Sequence, residues 1–412
     1  MIQNTISKLD RYAGIPLCFL LTGFDRIRSL IAPKASAPHI PKKILFLKLT
    51  EQGASVLAHS AIKRAENLVG RGNIYFCVFR ENRPILDILG TIAPENIFEI
   101  RQERLVSFCI DMLRFLFKTR KLGIDTVIDM EFFSRASALI AYLSGGKIRV
   151  GCHRYSADLP YRGNLMTHKV QYNPYIHVAH QYDLLVQTAT RSASECPMPK
   201  AEYGEALPSA PLFKPAECVF DKVRSTLRRL GVNGCSPIVL LNPNASDMLP
   251  IRKWETERFV ELAQRLIDSD KRMVVLFTGA PSEQSLCEGI AAKVNSSRAV
   301  SLAGHTTLDE LIALYWMADV LVTNDSGPGH FASLTDIKAV VMFGPETPLL
   351  FGPLGANATV IWKRLACSPC VSAFNHRNTP CSDNVCMKMI SVHEVLEQVE
   401  NILRGAMKQT RG

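Results

Sequence analysis

One stretch of the chain combines residue types that could hold an anion: ADVLVTNDSGPGHFASL, Ala318 to Leu334. Val320-Leu321-Val322 is a short β-branched run, as expected of a buried parallel strand, and the residues from His330 onward suit a helix. Asp325, Ser326, Gly327, Gly329 and His330 therefore fall at a strand-to-helix turn. Glycines there are expected to adopt backbone angles closed to other residues and to bring amide N–H groups close to a ligand. Pro328 suits the first helical turn, where its missing N–H costs nothing. Two further strand ends carry polar residues: NPNAS with IRKW, containing Asn244, Arg252 and Lys253, and TGAPSE, containing Glu283. Together they predict a nucleotide-diphosphate site. Arg252 and Lys253 offer charge, the turn amides offer hydrogen bonds, and Glu283 offers a carboxylate to ribose hydroxyls. Neither GxGxxG nor GxxxxGK[ST] occurs at these turns, which disfavours dehydrogenases and NTPases and leaves a sugar nucleotide as the better fit.

These turns need a scaffold. From KKILFLKL onward, apolar strand-like runs alternate with amphipathic helical segments, and the rhythm resumes after a Pro-rich interval, from SPIVLLNPNAS. Such alternation predicts doubly wound parallel sheets, whose ligands lie outside the carboxyl ends of the strands. The expected organisation is an extension at 1–41, a first Rossmann-like domain at 42–190, a linker at 191–218 and a second Rossmann-like domain at 219–412. The two domains are expected to face a central crevice, the first taking the acceptor and the second a nucleotide sugar. A helix at 103–121 belongs to the first domain and a terminal helix closes the second.

Composition narrows the partners. With 412 residues, 47% of them hydrophobic and 21% charged, the chain reads as a two-domain globular protein. Its formal charge of +10 favours anionic partners. No aromatic-rich basic stripe accompanies it, so nucleic acid is not expected. The 12 cysteines are too scattered for a disulfide scaffold, which points to a reducing, cytoplasmic compartment. Cys367, Cys370, Cys381 and Cys386, in CSPCVSAFNHRNTPCSDNVC, could supply thiolates to zinc or remain reduced thiols. GIPLCFLLTGF, flanked by Lys8, Arg11, Arg26, Arg28 and Lys34, is too short to span a bilayer. It suits an interfacial helix resting on a membrane, a helix packed on the protein body, or a signal peptide cleaved near 35–37.

The stretch TNDSGPGHFASLTDIKAVVMFGPETPLLFGPLG, preceded by NPNAS…RKW and FTGAPSE and followed by CSPC…C…CM, resembles glycosyltransferase family 9, the lipopolysaccharide heptosyltransferases. ILFLKLTEQGASVLAHSAIKRA resembles that family's first β-α unit, so the similarity covers roughly residues 42–400. The resemblance implies a GT-B fold and inverting transfer of heptose from ADP-heptose to a lipid A–core acceptor on the cytoplasmic face of the inner membrane, with no cofactor required. It also implies that Asp325 addresses sugar hydroxyls, that the turn amides bind diphosphate, and that Glu283 binds ribose. Arg252 stands where relatives carry lysine. One departure matters more: the family's Gly-Asp, whose aspartate is the expected general base, is Gly53-Ala54 here. Glu51 in the same turn, or Glu131 in IDMEFFSR, could replace it, with His153 a weaker candidate. Glu51 could instead cap the following helix, and Glu131 could pair with Arg135. Loss of the aspartate also leaves open a non-catalytic sugar-nucleotide-binding scaffold, and a two-domain crevice leaves open a sugar-nucleotide epimerase.

Overall fold

The apolar runs become parallel strands. The computed structural model describes residues 10, 12–31, 40–155, 161–232, 236–245 and 249–409. Strands β1 (Ile44–Leu47), β2 (Ile74–Phe79), β3 (Ile97–Ile100), β4 (Thr126–Asp129), β5 (Ile148–Cys152) and β6 (His168–Val170) form one six-stranded sheet in the order β3-β2-β1-β4-β5-β6. Strands β7 (Ile238–Asn242), β8 (Val274–Phe277), β9 (Ala299–Ser301), β10 (Val320–Asn324), β11 (Lys338–Phe343) and β12 (Ala358–Trp362) form a second, in the order β12-β11-β10-β7-β8-β9. All pairings are parallel. Each sheet thus has the Rossmann order, reversing direction between its first and fourth strands, β1 with β4 and β7 with β10. The central strands are buried along their whole length, which explains their continuous apolar runs.

The chain divides into two compact units, residues 1–207 with 373–376, and 208–372 with 377–412. The boundary falls inside the Pro-rich interval, and four residues of the cysteine-bearing tail belong to the first unit.

In the first unit, Leu45 and Leu47 of β1, Tyr75 and Cys77 of β2, and Val127 of β4 project from one face of the sheet into a single apolar cluster. Three helices cover that face. Helix α1 (Gly14–Ile31) contributes Cys18, α3 (Leu105–Lys121) contributes Phe115, and α4 (Arg135–Leu143) contributes Ala138, Ile140 and Ala141. Between them in sequence, α2 (Gln52–Leu57) follows β1. The apolar N-terminal segment is thus a helix packed on the first unit through one face. Among the described residues, no helix is long and apolar enough to cross a membrane. The expected cleavage site at 35–37, Lys8, Arg11 and Lys34 lie outside the described residues.

In the second unit, α5 (Thr256–Ser269), α6 (Gln284–Val294) and α8 (Val392–Gln409) cover one face of the sheet, and the short α7 (Gly327–Ala332) follows β10.

The seat of α1 depends on a glycine. Thr22 Oγ1 donates to the Cys18 carbonyl at 2.7 Å and accepts from the Asn164 amide at 2.8 Å, which brings the backbone at Gly163 against the helix. Gly163 has φ +65°, and a Cβ there would collide with Thr22 Oγ1 and lie 2.6 Å from the Cys18 carbonyl oxygen. Gly163→Ala should therefore loosen α1 and cost about 1–3 kcal/mol. A lower thermal midpoint and faster proteolytic release of the first 31 residues are expected, and an unchanged digestion pattern would refute this account of the helix seat.

Candidate functional site

The turns predicted to hold a nucleotide lie at the reversal point of the second sheet, and one side chain ties them together. Asn324, the last residue of β10, is fully buried. Its Nδ2 donates to the carbonyls of Pro243 (3.1 Å) and Asn244 (3.2 Å) beyond β7, while its Oδ1 accepts from the Trp254 amide at 3.0 Å. Trp254 is itself a wedge: buried, edge-on to Phe259, with Nε1 donating to the Ile390 carbonyl at 2.9 Å. Asn384 Nδ2 donates to the carbonyls of Ile251 (3.0 Å) and Lys253 (2.9 Å), so the turn bearing Arg252 and Lys253 is held from both sides.

Arg252 points inward. It is 8% exposed, with Nη1 lying 3.6 Å from both Asp325 Oδ2 and Glu346 Oε2. Arg377 Nε lies 3.1 Å from Glu346 Oε1. Two guanidinium groups and two carboxylates thus meet at the carboxyl ends of β10 and β11. Burial raises the Asp325 carboxyl well above the usual range, with the charge of Glu346 adding to this and Arg252 opposing it. Lys253 is half-buried beside this group. Glu346, in the FGPETP loop, and Arg377 were not singled out from sequence. A carboxylate in an apolar loop directly after a buried strand was the signal available for the first, and the second had none.

A neighbouring group forms beyond β8. A Cβ at Gly279 would lie 2.7 Å from Asn244 Nδ2 and 3.0 Å from Glu283 Oε2, so the bare backbone there lets both side chains close in. Asn244 is 3% exposed, its Nδ2 donates to the Thr278 carbonyl at 3.4 Å, and its buried Oδ1 has no hydrogen-bond partner among the described residues. Glu283 Oε2 accepts from the Ala280 amide at 2.7 Å, a capping contact at the turn before α6.

The reason given for the glycines of the DSGPG turn is corrected. Neither Gly327 nor Gly329 has a positive φ. Helix α7 begins at Gly327, with Ser326 at its N-cap. A Cβ at Gly329 would make only an ordinary contact, 3.4 Å from both methyl groups of Val341, whereas one at Gly327 would lie 3.1 Å from Phe331 Cζ. The Gly329 amide donates to the Ser326 carbonyl at 3.2 Å and is engaged within the turn. His330 lies in α7, half-buried.

The first unit repeats the arrangement at its own reversal point. Glu131, just beyond β4, reaches the loop after β1, where its Oε1 accepts from the amides of Leu49 (2.7 Å) and Thr50 (3.1 Å) and from Thr50 Oγ1 (3.4 Å). Lys48 is 3% exposed, and its Nζ bridges Glu131 Oε2 at 3.1 Å and Glu51 Oε2 at 3.2 Å. Beneath this group, Asp129 Oδ1 accepts from the Glu131 amide at 3.0 Å, and Asp129 Oδ2 takes Ser137 Oγ (2.8 Å) and the buried Arg162 guanidinium. Glu51 has φ +68° and Phe132 φ +21°, two non-glycine residues in sparsely populated backbone regions at one site.

The candidate bases differ in their local contacts. Glu51 occupies the N-cap position of α2 without a side-chain capping bond. Arg135 pairs with Asp10 and donates to the Tyr161 carbonyl, not to Glu131. His153, beyond β5, is held down at about 4, chiefly by burial and then by Lys169, Arg162 and Arg154, so its ring is neutral at pH 7. Lys48 was missed in the sequence, although a lysine inside the apolar run ILFLKL was a visible anomaly.

The zinc reading of the tail is corrected. Among the described residues, no three His, Cys, Asp or Glu side chains gather so as to hold a metal. No disulfide joins Cys367, Cys370, Cys381 or Cys386 to another described cysteine. Cys386 is buried and packs with the apolar core beside Met387, its thiol pushed up chiefly by burial. Cys381 Sγ donates to the Asp383 carbonyl at 3.1 Å.

Two outcomes test this geometry. Asn324→Ala removes three hydrogen bonds and leaves buried carbonyls and the Trp254 amide unsatisfied, at a cost of about 2–4 kcal/mol. A urea midpoint within error of wild type would contradict the clamp. Because the folded Asp325 carboxyl keeps its proton above the unfolded value, the stabilisation tied to that proton is full at pH below the unfolded value. It is lost as pH rises through the folded one. The thermal midpoint of wild type should therefore fall from pH 5 to pH 8 by more than that of Asp325→Asn, and equal slopes would remove Asp325 as the cause.

Comparison with known proteins follows the same lines. The profile of glycosyltransferase family 9 (heptosyltransferase) matches residues 113–379, well over half of the chain. Lipooligosaccharide heptosyltransferase 2 of Campylobacter jejuni subsp. jejuni serotype O:2 is 30% identical over 172 residues, 41% of this chain and 52% of that protein. Lipopolysaccharide heptosyltransferase 2 of Escherichia coli (strain K12) is 32% identical over 154 residues, 37% of this chain and 44% of that protein. The chain thus spans about half the length of the curated relatives it matches. Among solved structures, E. coli ADP-heptose lps heptosyltransferase II superposes with a TM-score of 0.66 at 20% identity over 89% of this chain and 99% of that one. E. coli heptosyltransferase WaaC with ADP gives a TM-score of 0.60 at 16% identity over 87% of this chain and 99% of that one. These superpositions show the fold, the two-domain α/β architecture expected of a GT-B protein. With its paired Rossmann sheets and its match across residues 113–379, the chain belongs to glycosyltransferase family 9.

Proposed function

We propose that this protein is an inverting glycosyltransferase that moves heptose from ADP-heptose to a lipopolysaccharide-core or related glycolipid acceptor, with the donor on the second unit and the acceptor hydroxyl at the first. The observation that carries the reading is the buried group of Arg252, Asp325, Glu346 and Arg377 at the reversal point of the second sheet, in a chain of this family. Paired carboxylates and guanidinium groups can accept from and donate to sugar hydroxyls, while Lys253 and the turn at Ser326 and Gly327 supply charge and hydrogen bonds to diphosphate. Asn244, with its buried oxygen unpartnered among the described residues, and Glu283 border Gly279 and address the nucleoside.

In the first unit, Glu51 is the general base and Glu131 a positioning residue. Glu131 already takes two amides, a hydroxyl and an ammonium group, whereas Glu51 stands at the start of α2, with its side chain 23% exposed beside Lys48. In the step itself, the Glu51 carboxylate takes the proton of the acceptor hydroxyl and the freed oxygen bonds to the anomeric carbon. The bond from that carbon to the diphosphate breaks, and ADP leaves with the electron pair, inverting the centre. The protein works at the cytoplasmic face of the membrane that carries its acceptor.

The experiment is turnover of ADP-heptose with lipopolysaccharide acceptor beside ADP affinity by calorimetry. Glu51→Gln should lower kcat by about a hundredfold to ten-thousandfold with ADP affinity unchanged, and Arg252→Ala should weaken ADP-sugar binding about tenfold or more. Glu51→Gln with near-wild-type turnover rules out the base assignment. Wild type that binds ADP-heptose but transfers nothing to any acceptor rules out the transferase and leaves a nucleotide-sugar-binding scaffold.

A further inference from the structure

Two helices on the first unit keep large apolar side chains in water. On α1, Cys18, Thr22 and Asp25 face inward, while Phe19 (68% exposed), Leu20, Phe24, Ile27 and Leu30 (85%) face out. On α3, Phe115 and Thr119 face inward, while Val106 (70% exposed), Ile110, Leu113 and Phe117 recur at intervals of three or four residues on the opposite side. The first stripe belongs to the apolar N-terminal segment; the second, in a helix the function above leaves unused, has the same character.

The two stripes share one face. Both helices pack into the same apolar cluster over the same side of the sheet. Both also meet α4: α1 packs along it, and α3 reaches its end through Arg120 Nε to the Leu143 carbonyl at 3.0 Å and Thr119 Oγ1 to the Ser144 carbonyl at 3.2 Å. Helix α4 has no exposed residue, so α1 and α3 form the outer ridges of this side of the unit. Exposed apolar surface on this scale on a soluble domain marks a contact.

The charges around the stripes identify the partner. Arg114, Lys118 and Lys121 are exposed along one flank of the α3 stripe, and Arg26 and Arg28 are exposed at the end of α1. The acids of the two helices are turned inward: Asp25 is buried, and Asp111 is held by Arg101 through Nε (2.7 Å) and Nη2 (2.8 Å), leaving Glu103 exposed just before α3. Apolar ridges flanked by cations match a bilayer whose surface carries anionic headgroups, with Leu and Phe entering the headgroup boundary and Arg and Lys meeting phosphate. We infer that α1 and α3 together form a two-point docking face for an anionic phospholipid bilayer. Two separated contacts act on one rigid unit, so each raises the effective concentration of the other. The inference deepens the proposed function by naming the surface on which a lipid-borne acceptor is met, and its test needs neither donor nor acceptor.

Flotation of the full chain with vesicles of phosphatidylcholine alone, or with about a third phosphatidylglycerol, tests it at several salt concentrations. Wild type should float with the anionic vesicles, not the neutral ones, and be released by salt. The double variants Leu113→Glu/Phe117→Glu on α3 and Phe24→Glu/Ile27→Glu on α1 should each lower the partition coefficient at least tenfold. Arg114→Glu/Lys118→Glu should lower it by about fivefold or more per cation. Thermal melts and ADP affinity within error of wild type confirm that the variants are folded. Wild type that stays off anionic vesicles overturns the inference, as does an α3 double variant that binds like wild type. A lipid-free dimer in sedimentation, dispersed by the same substitutions in a chain that does not bind vesicles, would assign the face to a second copy and overturn it as well.

Discussion

Each sheet of this protein reverses its winding between its first and fourth strands, and at each reversal a polar side chain at or just beyond the end of the fourth strand crosses to the loop of the first. In the second unit it is Asn324, donating to the carbonyls beyond β7 and accepting the Trp254 amide. In the first it is Glu131, accepting the amides beyond β1. A reversal point splays neighbouring loops apart and opens the crevice in which such sheets bind ligands. The same opening strips the loop amides and carbonyls of ladder partners, and burying them unpaired would cost about 1–3 kcal/mol each. The crossing side chains supply the missing partners while leaving the crevice open. The charged groups of each reversal point stand on loops fixed in this way: Glu51 and Lys48 on one sheet, Arg252 and Asp325 on the other.

The central architecture was legible because buried parallel strands leave continuous apolar runs. β1, β2, β4, β7, β8, β10 and β11 stand within the segments where such runs predict them. β3, β6 and β12, at sheet edges, went unread, since IFEI, HKV and ATVIW carry no uninterrupted apolar run bounded by turns. The site was legible in type more than in contact. Arg252 was identified as a cation at a strand end, but its inward direction depends on Glu346 and Arg377, 94 and 125 positions further on. No local pattern could join them. The glycines of the DSGPG turn were identified by position but assigned backbone angles that neither adopts. The cysteine spacing suggested a ligand set, but Cys386 went to the apolar core, since a thiol is as good a small hydrophobe as it is a ligand.

The charges of the second unit qualify the simplest picture of an anion site. An arginine in open solvent would meet diphosphate directly. Arg252 instead lies buried between two carboxylates, and burying an ion is tolerable only with partners that return the lost hydration. Burial has the opposite effect on Asp325, favouring its neutral form. A carboxyl that holds its proton can donate to one sugar hydroxyl and accept from another, and it leaves Arg252 and Arg377 facing one full negative charge rather than two. Arg252 is thus one member of a lattice of charges, its Nη1 lying 3.6 Å from both Asp325 Oδ2 and Glu346 Oε2.

In the first unit a strained turn carries the Glu51 carboxylate at the start of α2. Ala54 lies in the first turn of α2, and its amide donates to the Glu51 carbonyl at 3.0 Å, so the backbone at Glu51 is bent back onto the helix it precedes. That bend holds a non-glycine residue at φ +68°, at a cost of about 1–3 kcal/mol. Glycine would relieve the strain at no steric cost, but it would bring no side chain to the crevice. What over-determines the strained turn is the Lys48 ammonium group, buried within the sheet and shared between Glu51 and a Glu131 that is itself fixed by two amides. The strain, the buried cation and the clamped second carboxylate share one consequence: they hold the Glu51 carboxylate at the reversal point of the first sheet.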